Sequence, residues 1–417
     1  MPNNWKTYKL GEIATVQTGP FGSQLHQKDY VQNGTPILTV EHLGNNRIVH
    51  QNLPRVSDYD KMRLKKYCIQ KGDIVFSRVG TVDRRAFVTE KKDSWIFSGR
   101  CLRVREDEKN VDGSFLSYYF GQESFKDLIR RIAVGATMPS LNTSILSSIE
   151  INIPANLQEQ KSIAAILSTI DDKIENNLAI NKTLEEMAMA LYKHWFVDFG
   201  PFQDGEFVES ESGRIPKGWE VKKIGEVIET LGGGTPSTTT KEYWEDGDIL
   251  WYSPTDLTRE NSLFSFDTAK KITALGLQKS SAKMFPANSL LMSSRATIGL
   301  LTINTKEACT NQGFITMLPN DKLSVYQLYF WVKDNMDLII SKANGSTFKE
   351  ISKSNFRDLE IVVPNSIENF IEQSKDIFEQ IKNNTSENQT LIQLRDTLLP
   401  KLISGEVRLK EFVSSDK

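Results

Sequence analysis

The chain repeats two of its own segments at a spacing of about 210 residues. Residues 5–13 (WKTYKLGEI) return as residues 219–227 (WEVKKIGEV), and residues 135–154 align with residues 345–364 over 20 positions without a gap. Solenoid units are about 20–50 residues long, so a period of this length indicates a duplicated domain. A duplicated domain suits a ligand that carries two related sites.

The composition is that of a globular chain with two to three domains. Of its 417 residues 25% are charged, and no apolar run approaches the ~20 residues that a membrane span needs. The polar start of the chain lacks the apolar segment of a secretion signal, and three scattered cysteines fit a reducing compartment. The four histidines lack the spacing of a zinc site. We therefore expect a cytoplasmic protein that has no membrane contact, no metal and no cofactor of its own.

The net charge of −2 is unevenly distributed along the chain. Residues 1–156 carry a net charge of +6, whereas residues 219–365 carry −1. The stretches 157–218 and 366–417 together carry −7. Because positive charge attracts polyanions, the first repeat suits direct contact with nucleic acid, and the second would need a local patch. The acidic stretches suit a protein partner.

After each repeat the sequence pattern changes to that of a long helix. From Leu157 to Phe196 no proline or glycine occurs, and apolar residues recur three and four positions apart. The seam positions are Ile163, Leu167, Ile170, Ile174, Asn177, Asn181, Leu184, Ala188, Leu191 and Trp195 in the first helix, and Ile367, Phe370, Ser374, Ile377, Ile381, Asn384, Asn388, Leu391, Arg395, Leu398 and Leu402 in the second. Two independent surface helices are an alternative, but such helices seldom keep a strict 3.5-residue period. We expect the two helices to pair.

Two asparagines in each helix interrupt this apolar seam near its middle. In an antiparallel pair aligned at its centre, Asn177 and Asn181 would meet Asn384 and Asn388 in one polar layer. The amides would be satisfied only by each other or by water, so the layer would cost stability and fix the register of the helices.

Each repeat combines alternating strand patterns, an amphipathic helix and loops rich in Gly, Pro, Ser and Thr. We therefore predict an α+β fold with two duplicated α/β domains, separated by two long antiparallel coiled-coil helices in a pseudo-twofold arrangement. The expected segments are a first domain at 1–156, a central helix at 157–198, a turn-rich connector at 199–218, a second domain at 219–365, a C-terminal helix at 366–409 and a tail at 410–417.

Several catalytic motifs are missing from the sequence. It has no Gly-x-x-x-x-Gly-Lys-[Ser/Thr] nucleotide loop, no Asn/Asp-Pro-Pro-Tyr/Phe turn of an amino-methyltransferase and no Gly-x-Gly-x-x-Gly after a strand. Asp198 with Glu220 and Lys222 imitates a nuclease metal triad, but the first repeat has Lys6 and Tyr8 at the last two positions. We interpret these residues as surface charges and expect no catalysis by this chain.

Basic residues among small polar ones follow a predicted strand in each repeat, at 76–85 and 293–299. An arginine there can bind a phosphate or the edge of a guanine, and a structural ion pair is an equal alternative. Loops at 18–24 and 232–241, and the Gly-x-Thr loops at 135–137 and 345–347, are either DNA contacts or ordinary turns. The candidate DNA-binding residues are Gly19, Ser23, Gln24, Arg78, Thr81, Arg84, Arg85, Gly233, Thr235, Ser237, Thr238, Lys241, Arg295, Thr297, Thr347 and Lys349.

The arrangement resembles the specificity subunit of type I restriction-modification systems. The resemblance rests on the repeated openings and closings of the two domains, and on the helix-end segments 189–199 (MALYKHWFVDF) and 394–406 (LRDTLLPKLISGE). It extends from residue 5 to about residue 409.

This resemblance implies a non-catalytic reader of double-stranded DNA with two half-sites, in which the two domains are target-recognition domains and each takes one half-site. Methyltransferase subunits would dock on the long helices and bring S-adenosylmethionine, and endonuclease/translocase subunits would join them. Two alternatives are a self-contained fused methyltransferase/nuclease, which the missing motifs disfavour, and a coiled-coil scaffold with two protein-binding domains, which charge does not exclude.

Overall fold

The structure is a computed structural model that describes residues 4–22, 24–49, 52–89, 94–260, 262–345 and 349–409. The chain divides into two compact units, one formed by residues 1–173 with 391–417 and the other by residues 174–390. Each unit therefore contains one sequence repeat together with parts of both long helices.

The first unit contains three β-sheets, as far as the described residues show. Its strands are β1 (Trp5–Lys9), β2 (Ala14–Thr18), β3 (Tyr30–Val31), β4 (Thr35–Leu38), β5 (Asn45–Asn46), β6 (Arg55–Val56), β7 (Ile74–Ser77), β8 (Arg85–Phe87), β9 (Ile96–Phe97), β10 (Cys101–Glu106) and β11 (Glu150–Pro154). Its helices are α1 (Leu10–Ile13), α2 (Asp58–Arg63), α3 (Gly113–Tyr119), α4 (Glu123–Ile132) and α5 (Thr143–Ser147), and the long helix α6 (Leu157–Phe196) starts here. The sheets have the strand orders β2-β10-β7-β8-β5, β3-β6-β4-β9 and β1-β11.

The second unit begins within α6 and continues through a hairpin. Its strands are β12 (Phe207–Ser210), β13 (Gly213–Pro216), β14 (Glu220–Lys223), β15 (Glu229–Leu231), β16 (Ile249–Tyr252), β17 (Phe264–Ser265), β18 (Lys271–Ile272), β19 (Leu290–Ser293), β20 (Leu301–Asn304), β21 (Ala308–Thr310), β22 (Phe314–Leu318) and β23 (Glu360–Val363). Its helices are α7 (Ile224–Val227), α8 (Pro254–Glu260), α9 (Ala274–Gln278), α10 (Val325–Asp334), α11 (Met336–Ser341), α12 (Lys353–Arg357) and the first part of α13 (Glu368–Ser404).

The same sheet topology is present in both units. The order β15-β22-β19-β20-β17 of the second unit reproduces β2-β10-β7-β8-β5 of the first, strand for strand. In each unit the repeated opening segment pairs antiparallel with the repeated closing segment, β1 with β11 and β14 with β23. The two segments that recur in the sequence are therefore neighbours in space, and together they close each repeat.

Polar caps start the equivalent helices of the two repeats. The Asp112 side chain accepts a hydrogen bond from the Phe115 backbone N–H at the start of α3, and the Ser324 hydroxyl accepts one from Gln327 at the start of α10. Both capping residues are of types that favour this position because their side-chain oxygens satisfy an unpaired backbone donor.

The long helices contribute apolar side chains to the core of each unit. In the first unit Leu167 of α6 and Leu402 of α13 are buried in the cluster that fills the repeat. In the second unit Phe196 of α6 and Phe370 of α13 meet edge to face, with ring centroids 4.9 Å apart. The predicted α+β class and the predicted long helices are confirmed.

The ends of the long helices differ slightly from the segments expected from the sequence. The second helix runs from Glu368 to Ser404 and so occupies less than the segment 366–409. Gly405 follows it with φ of 74°, a left-handed conformation that stops a helix and that glycine adopts without a Cβ penalty. The connector after the first helix contains the antiparallel hairpin β12–β13.

The asparagines of the seam meet within the second unit as the sequence predicts. Asn177 Nδ2 donates to Asn388 Oδ1 at 2.9 Å, and Asn384 Nδ2 donates to Asn181 Oδ1 at 2.8 Å. All four residues are buried. Because the higher number on one helix faces the lower number on the other, the helices are antiparallel here. The amides form two pairs one helical turn apart, however, and not a single layer.

The amides also have partners outside the asparagine pairs, which the sequence analysis did not foresee. Asn177 Nδ2 donates to Glu387 Oε2 at 2.7 Å, and Asn384 Oδ1 accepts from Gln380 at 2.7 Å. Within the described part of the chain, Asn177 Oδ1 is a buried acceptor with no hydrogen-bond partner. The hydrogen-bonding groups of the asparagines are thus nearly but not fully paired, and the unpaired buried oxygen lowers the stability of the seam at its middle.

We predict that Asn177→Leu alone lowers the free energy of unfolding by about 1–3 kcal/mol, because it leaves the buried side-chain oxygen of Asn388 without its hydrogen-bond donor. Adding Asn388→Leu should recover that loss and exceed the stability of the wild type, because two leucines restore an apolar seam. Urea unfolding of the single and double variants measures both effects.

Asn176→Leu is the matched control for this prediction, since Asn176 is exposed on the same helix and should change stability by no more than about 0.5 kcal/mol. A double variant less stable than Asn177→Leu would contradict this account of the seam.

Candidate nucleic-acid interface

The loops that the sequence analysis selected in the first repeat meet beyond one end of the five-stranded sheet β2-β10-β7-β8-β5. The Arg78 backbone N–H donates to the Arg100 carbonyl at 2.8 Å, and the Arg78 carbonyl accepts from Leu141 at 2.8 Å. The Gly80 N–H donates to the Pro139 carbonyl at 2.9 Å. The loop after β7 is therefore held between the loop before β10 and the Gly-x-Thr loop.

The Gly19 loop joins this group through a close backbone approach. Gly19 donates its N–H to the Cys101 carbonyl at 3.2 Å, and a Cβ at Gly19 would lie 2.1 Å from the Ser98 carbonyl oxygen. Gly19 is buried, so it shapes the loop and does not present itself to a ligand.

The second repeat builds the same arrangement from other residues. Ser294 donates its N–H to the Gly313 carbonyl at 2.8 Å and accepts at its own carbonyl from Ile351 at 2.9 Å. Arg295 forms an antiparallel bridge with Glu350, beside the second Gly-x-Thr loop. In both repeats the arginine loop is thus bonded to the segment that follows the Gly-x-Thr motif in the sequence, at Pro139 and Leu141 in the first repeat and at Glu350 and Ile351 in the second.

The glycine-rich loop of the second repeat lies against the end of β21 and the residue after it. A Cβ at Gly233 would lie 2.2 Å from the carbonyl oxygens of Thr310 and Asn311. The next polar residue, Thr235, is exposed, and its hydroxyl donates to Gln312 Oε1 at 2.6 Å. Gly233 therefore allows the close contact, and Thr235 lies at the surface that the loop creates.

The two arginines are not at matched positions. Ser77 and Ser293 are equivalent, because each is the last residue of its strand and pairs with the first residue of the neighbouring strand, Cys101 in β10 or Phe314 in β22. Arg78 therefore corresponds to Ser294, and Arg295 lies one residue further on. Arg78 Nη1 donates to the Gly99 carbonyl at 3.1 Å. The two arginines are therefore offset by one residue in the register, which a sequence comparison without register does not reveal.

Arg85 differs from its expected role. It is only 3% exposed, and its Nε donates to the Ser117 carbonyl at 2.7 Å. Burial lowers the pKa of Arg85 to about 10. Successive residues of a strand point to opposite faces, so Arg85 in β8 points inward whereas Arg84 before it is exposed. We leave Arg85 out of the proposed interface.

The remaining candidates divide by exposure. Gln24 is half-buried, and its side-chain oxygen accepts from the Tyr67 hydroxyl at 2.7 Å. Ser23 and Thr347 lie outside the described residues. The exposed candidates are Thr81, Arg84, Thr235, Ser237, Thr238, Lys241, Thr297 and Lys349.

The structure adds Arg100, which the sequence analysis missed. Arg100 is exposed and lies directly after Gly99, in the loop whose carbonyls hold the backbone and side chain of Arg78. Its signal in the sequence was a glycine–arginine pair before a strand, and no equivalent pair in the second repeat draws attention to it.

A polar junction joins the first repeat to the long helices within its own unit. Asp171 of α6 accepts from the Tyr118 hydroxyl at 2.7 Å and from Arg395 Nη1 of α13 at 2.9 Å. Burial and the Asp171 carboxylate raise the pKa of Tyr118, which keeps the hydroxyl protonated and donating. In the second unit the Tyr329 hydroxyl makes the corresponding kind of bond to Glu185 of α6 at 3.1 Å. These bonds position each repeat on its helices.

Two other kinds of site were sought in the described part of the chain. No group of three His, Cys, Asp or Glu side chains there is placed to hold a metal ion. Over the same residues, none of the helices combines the length and the apolar character that crossing a membrane would require.

The chain belongs to the family of type I restriction modification DNA specificity domains, which match it twice, over residues 2–186 and 216–395. The two matches coincide with the two repeats and include most of α6 and α13. The family assignment that the sequence resemblance predicted is thereby confirmed.

Individual relatives match along nearly the whole chain. The specificity subunit of the type I restriction enzyme HindI from Haemophilus influenzae is 28% identical over 97% of this chain and 100% of its own. The MjaIX specificity subunit from Methanocaldococcus jannaschii is 27% identical over 99% of this chain and 95% of its own. The crystal structure of a type I S subunit from M. genitalium shares the fold, with a TM-score of 0.59, 16% identity and 96% of each chain covered.

We predict that Gly233→Ala destabilises the second repeat by about 1–3 kcal/mol, because the added Cβ would overlap backbone oxygens that have no flexible side chain to move aside. Gly232→Ala is the matched control, since a Cβ there has nothing within 4 Å. Thermal unfolding and hydrogen exchange of the loop compare the two variants. Equal effects at both positions would show that the close approach of Gly233 is not required.

Proposed function

We propose that this chain is the DNA-reading subunit of a type I restriction-modification system, and that each repeat binds one half of a bipartite target. The observation that carries the proposal is that, within the described residues, both repeats hold equivalent loop segments at the same end of equivalent sheets, yet display different side chains on them. A constant frame with variable loops is what two related but different half-sites require.

The exposed side chains of these loops have the chemistry of DNA contacts. Arg84 and Arg100 in the first repeat, and Lys241 and Lys349 in the second, present positive charge to solvent. Such residues neutralise phosphates, while exposed threonines and serines offer hydroxyls to phosphates or base edges. The first repeat also carries the excess of positive charge, which favours nucleic acid over a protein ligand.

We propose that catalysis belongs to partner subunits in the cytoplasm. The sequence contains no methyltransferase or nucleotide-binding loop, so methyl transfer and DNA cleavage require other chains. The long helices offer exposed apolar side chains for docking of methyltransferase subunits, including Leu178 and Met187 on α6 and Leu394 on α13. Endonuclease/translocase subunits would then join that complex.

An exchange of repeats tests this function. Replacing residues 1–150 by the first repeat of a relative should change one half of the DNA target and leave the other half unchanged, because each repeat has its own core and loops. Sequencing the sites methylated by the reconstituted hybrid complex measures the outcome. An exchange of the second repeat is the matched control and should change the opposite half. A hybrid in which both halves change would refute the proposal.

Arg78→Ala and Arg295→Ala should have different effects on DNA binding. Arg295 is half-buried beside the exposed loop, so its loss should cost about 1–3 kcal/mol at one base position if it reads a base, or weaken all sequences alike if it binds a phosphate. Arg78 is tied to the Gly99 carbonyl, so its loss should chiefly destabilise the loop.

Binding across a salt series, with unfolding measured in parallel, separates these effects. If Arg295→Ala binds DNA with unchanged affinity and salt dependence while folding normally, Arg295 has a structural role and this part of the proposal is wrong.

A further inference from the structure

A basic cleft lies in the first repeat, outside the group of loops described above. Its volume is about 430 Å³, and the cations that line it are Lys61, Lys65, Lys66, Arg103 and Arg105. Among the described residues that line the cleft, no side chain is acidic. Lys65 and Lys66 are exposed at its rim.

Arg103 places a poorly neutralised charge beneath this cleft. It is 6% exposed, and its Nη1 donates to the Cys68 carbonyl at 3.0 Å. Its Nε has no hydrogen-bond acceptor among the described residues and lies 4.0 Å from Asp73 Oδ2. Asp73 is already held by Arg105 through two bonds, of 2.6 and 2.7 Å. Arg103 therefore acts as a fixed positive charge under the cleft, while the lysines remain able to contact a ligand.

The cleft is connected to the Gly19 loop by hydrogen bonds. Arg63 of α2 donates to the Gln24 carbonyl at 2.7 Å, and the Tyr67 hydroxyl bonds the Gln24 side chain. Arg103 Nη2 also donates to Gln17 in β2, the strand that leads into Gly19. These bonds fix the cleft relative to the Gly19 loop.

In the described part of the second repeat, the residues equivalent to the arginines of the cleft carry no charge. The strand registers make Thr316 the counterpart of Arg103, Leu318 the counterpart of Arg105 and Leu231 the counterpart of Gln17. Leu231 and Leu318 pack on an apolar cluster. The difference agrees with the net charges of the two repeats, +6 for residues 1–156 and −1 for residues 219–365.

We infer that this cleft binds a phosphodiester group of the DNA backbone beside the half-site that the first repeat reads. The inference rests on the proposed function and adds an asymmetry to it: the first repeat supplies the larger share of the sequence-independent affinity. Lysine is suited to this task because its ammonium is a point charge that binds phosphate without reading sequence. The open rim and the connection to the Gly19 loop favour a phosphate within a polymer over a small free anion.

The test compares two double variants of the full-length chain. Lys65→Gln with Lys66→Gln removes two charges from the cleft, and Lys6→Gln with Lys9→Gln removes two exposed charges from β1 in the same repeat. Binding to a random-sequence duplex is followed by fluorescence anisotropy from low to high salt. Loss of one phosphate contact should reduce the slope of log K against log salt by about one unit in the cleft variant, with the control close to wild type. The base preference selected from a random pool should stay the same.

Three results would overturn the inference. The first is that the cleft variant keeps the wild-type slope of log K against log salt. The second is that the control variant loses as much of this slope as the cleft variant. The third is that inorganic phosphate binds the wild type but not the cleft variant in calorimetry, while the slope for DNA is unchanged. The last result would assign the cleft to a free anion. Failure of the wild-type chain to bind any duplex would instead refute the proposed function itself.

Discussion

The antiparallel pairing of the opening strand of each repeat with its closing strand is the interaction on which the rest of each unit depends. The closing strand lies beside the opening strand, so the chain that leaves β11 or β23 starts its long helix a few residues later from a fixed place. The register is tight at the ends of these strands, where Leu10 donates to the Ile149 carbonyl and Ile224 to the Leu359 carbonyl, both at 2.9 Å. This requirement explains why the opening and closing segments are the parts of the sequence that recur.

Once the opening and closing strands of a repeat are paired, the loops that differ between the repeats lie together beyond one end of its five-stranded sheet. Backbone hydrogen bonds hold the loops together, as between Arg78 and Leu141 or between Ser294 and Ile351. Because backbone groups make these bonds, the exposed side chains on the loops can differ without loss of the bonds, whereas Gly19 and Gly233 are constrained by close backbone contacts. In the proposed interface, recognition and stability would thereby be carried by different atoms of the same segments, which would allow one fold to read two half-sites.

Much of this fold was predictable, because the duplicated segments and the apolar periodicity of the long helices can be recognised in the sequence itself. That the asparagines of the two helices meet was predicted from their heptad positions and an antiparallel alignment, although their division into two pairs was not. The inward direction of Arg85 and the offset between Arg78 and Arg295 were not predictable, since both depend on where a strand ends and on its register. The basic cleft was also hidden: its lysines come from α2 and the turn after it and its arginines from β10, about 40 residues apart in the chain, and tertiary folding alone brings them together.

The central claim is that each repeat reads one half of a single DNA target. The most direct test is to select bound duplexes from a random pool with the full-length chain and to sequence them. The account predicts two short conserved segments separated by a spacer of fixed length and no preferred sequence. Enrichment of one contiguous motif, or of no motif at all, would contradict it.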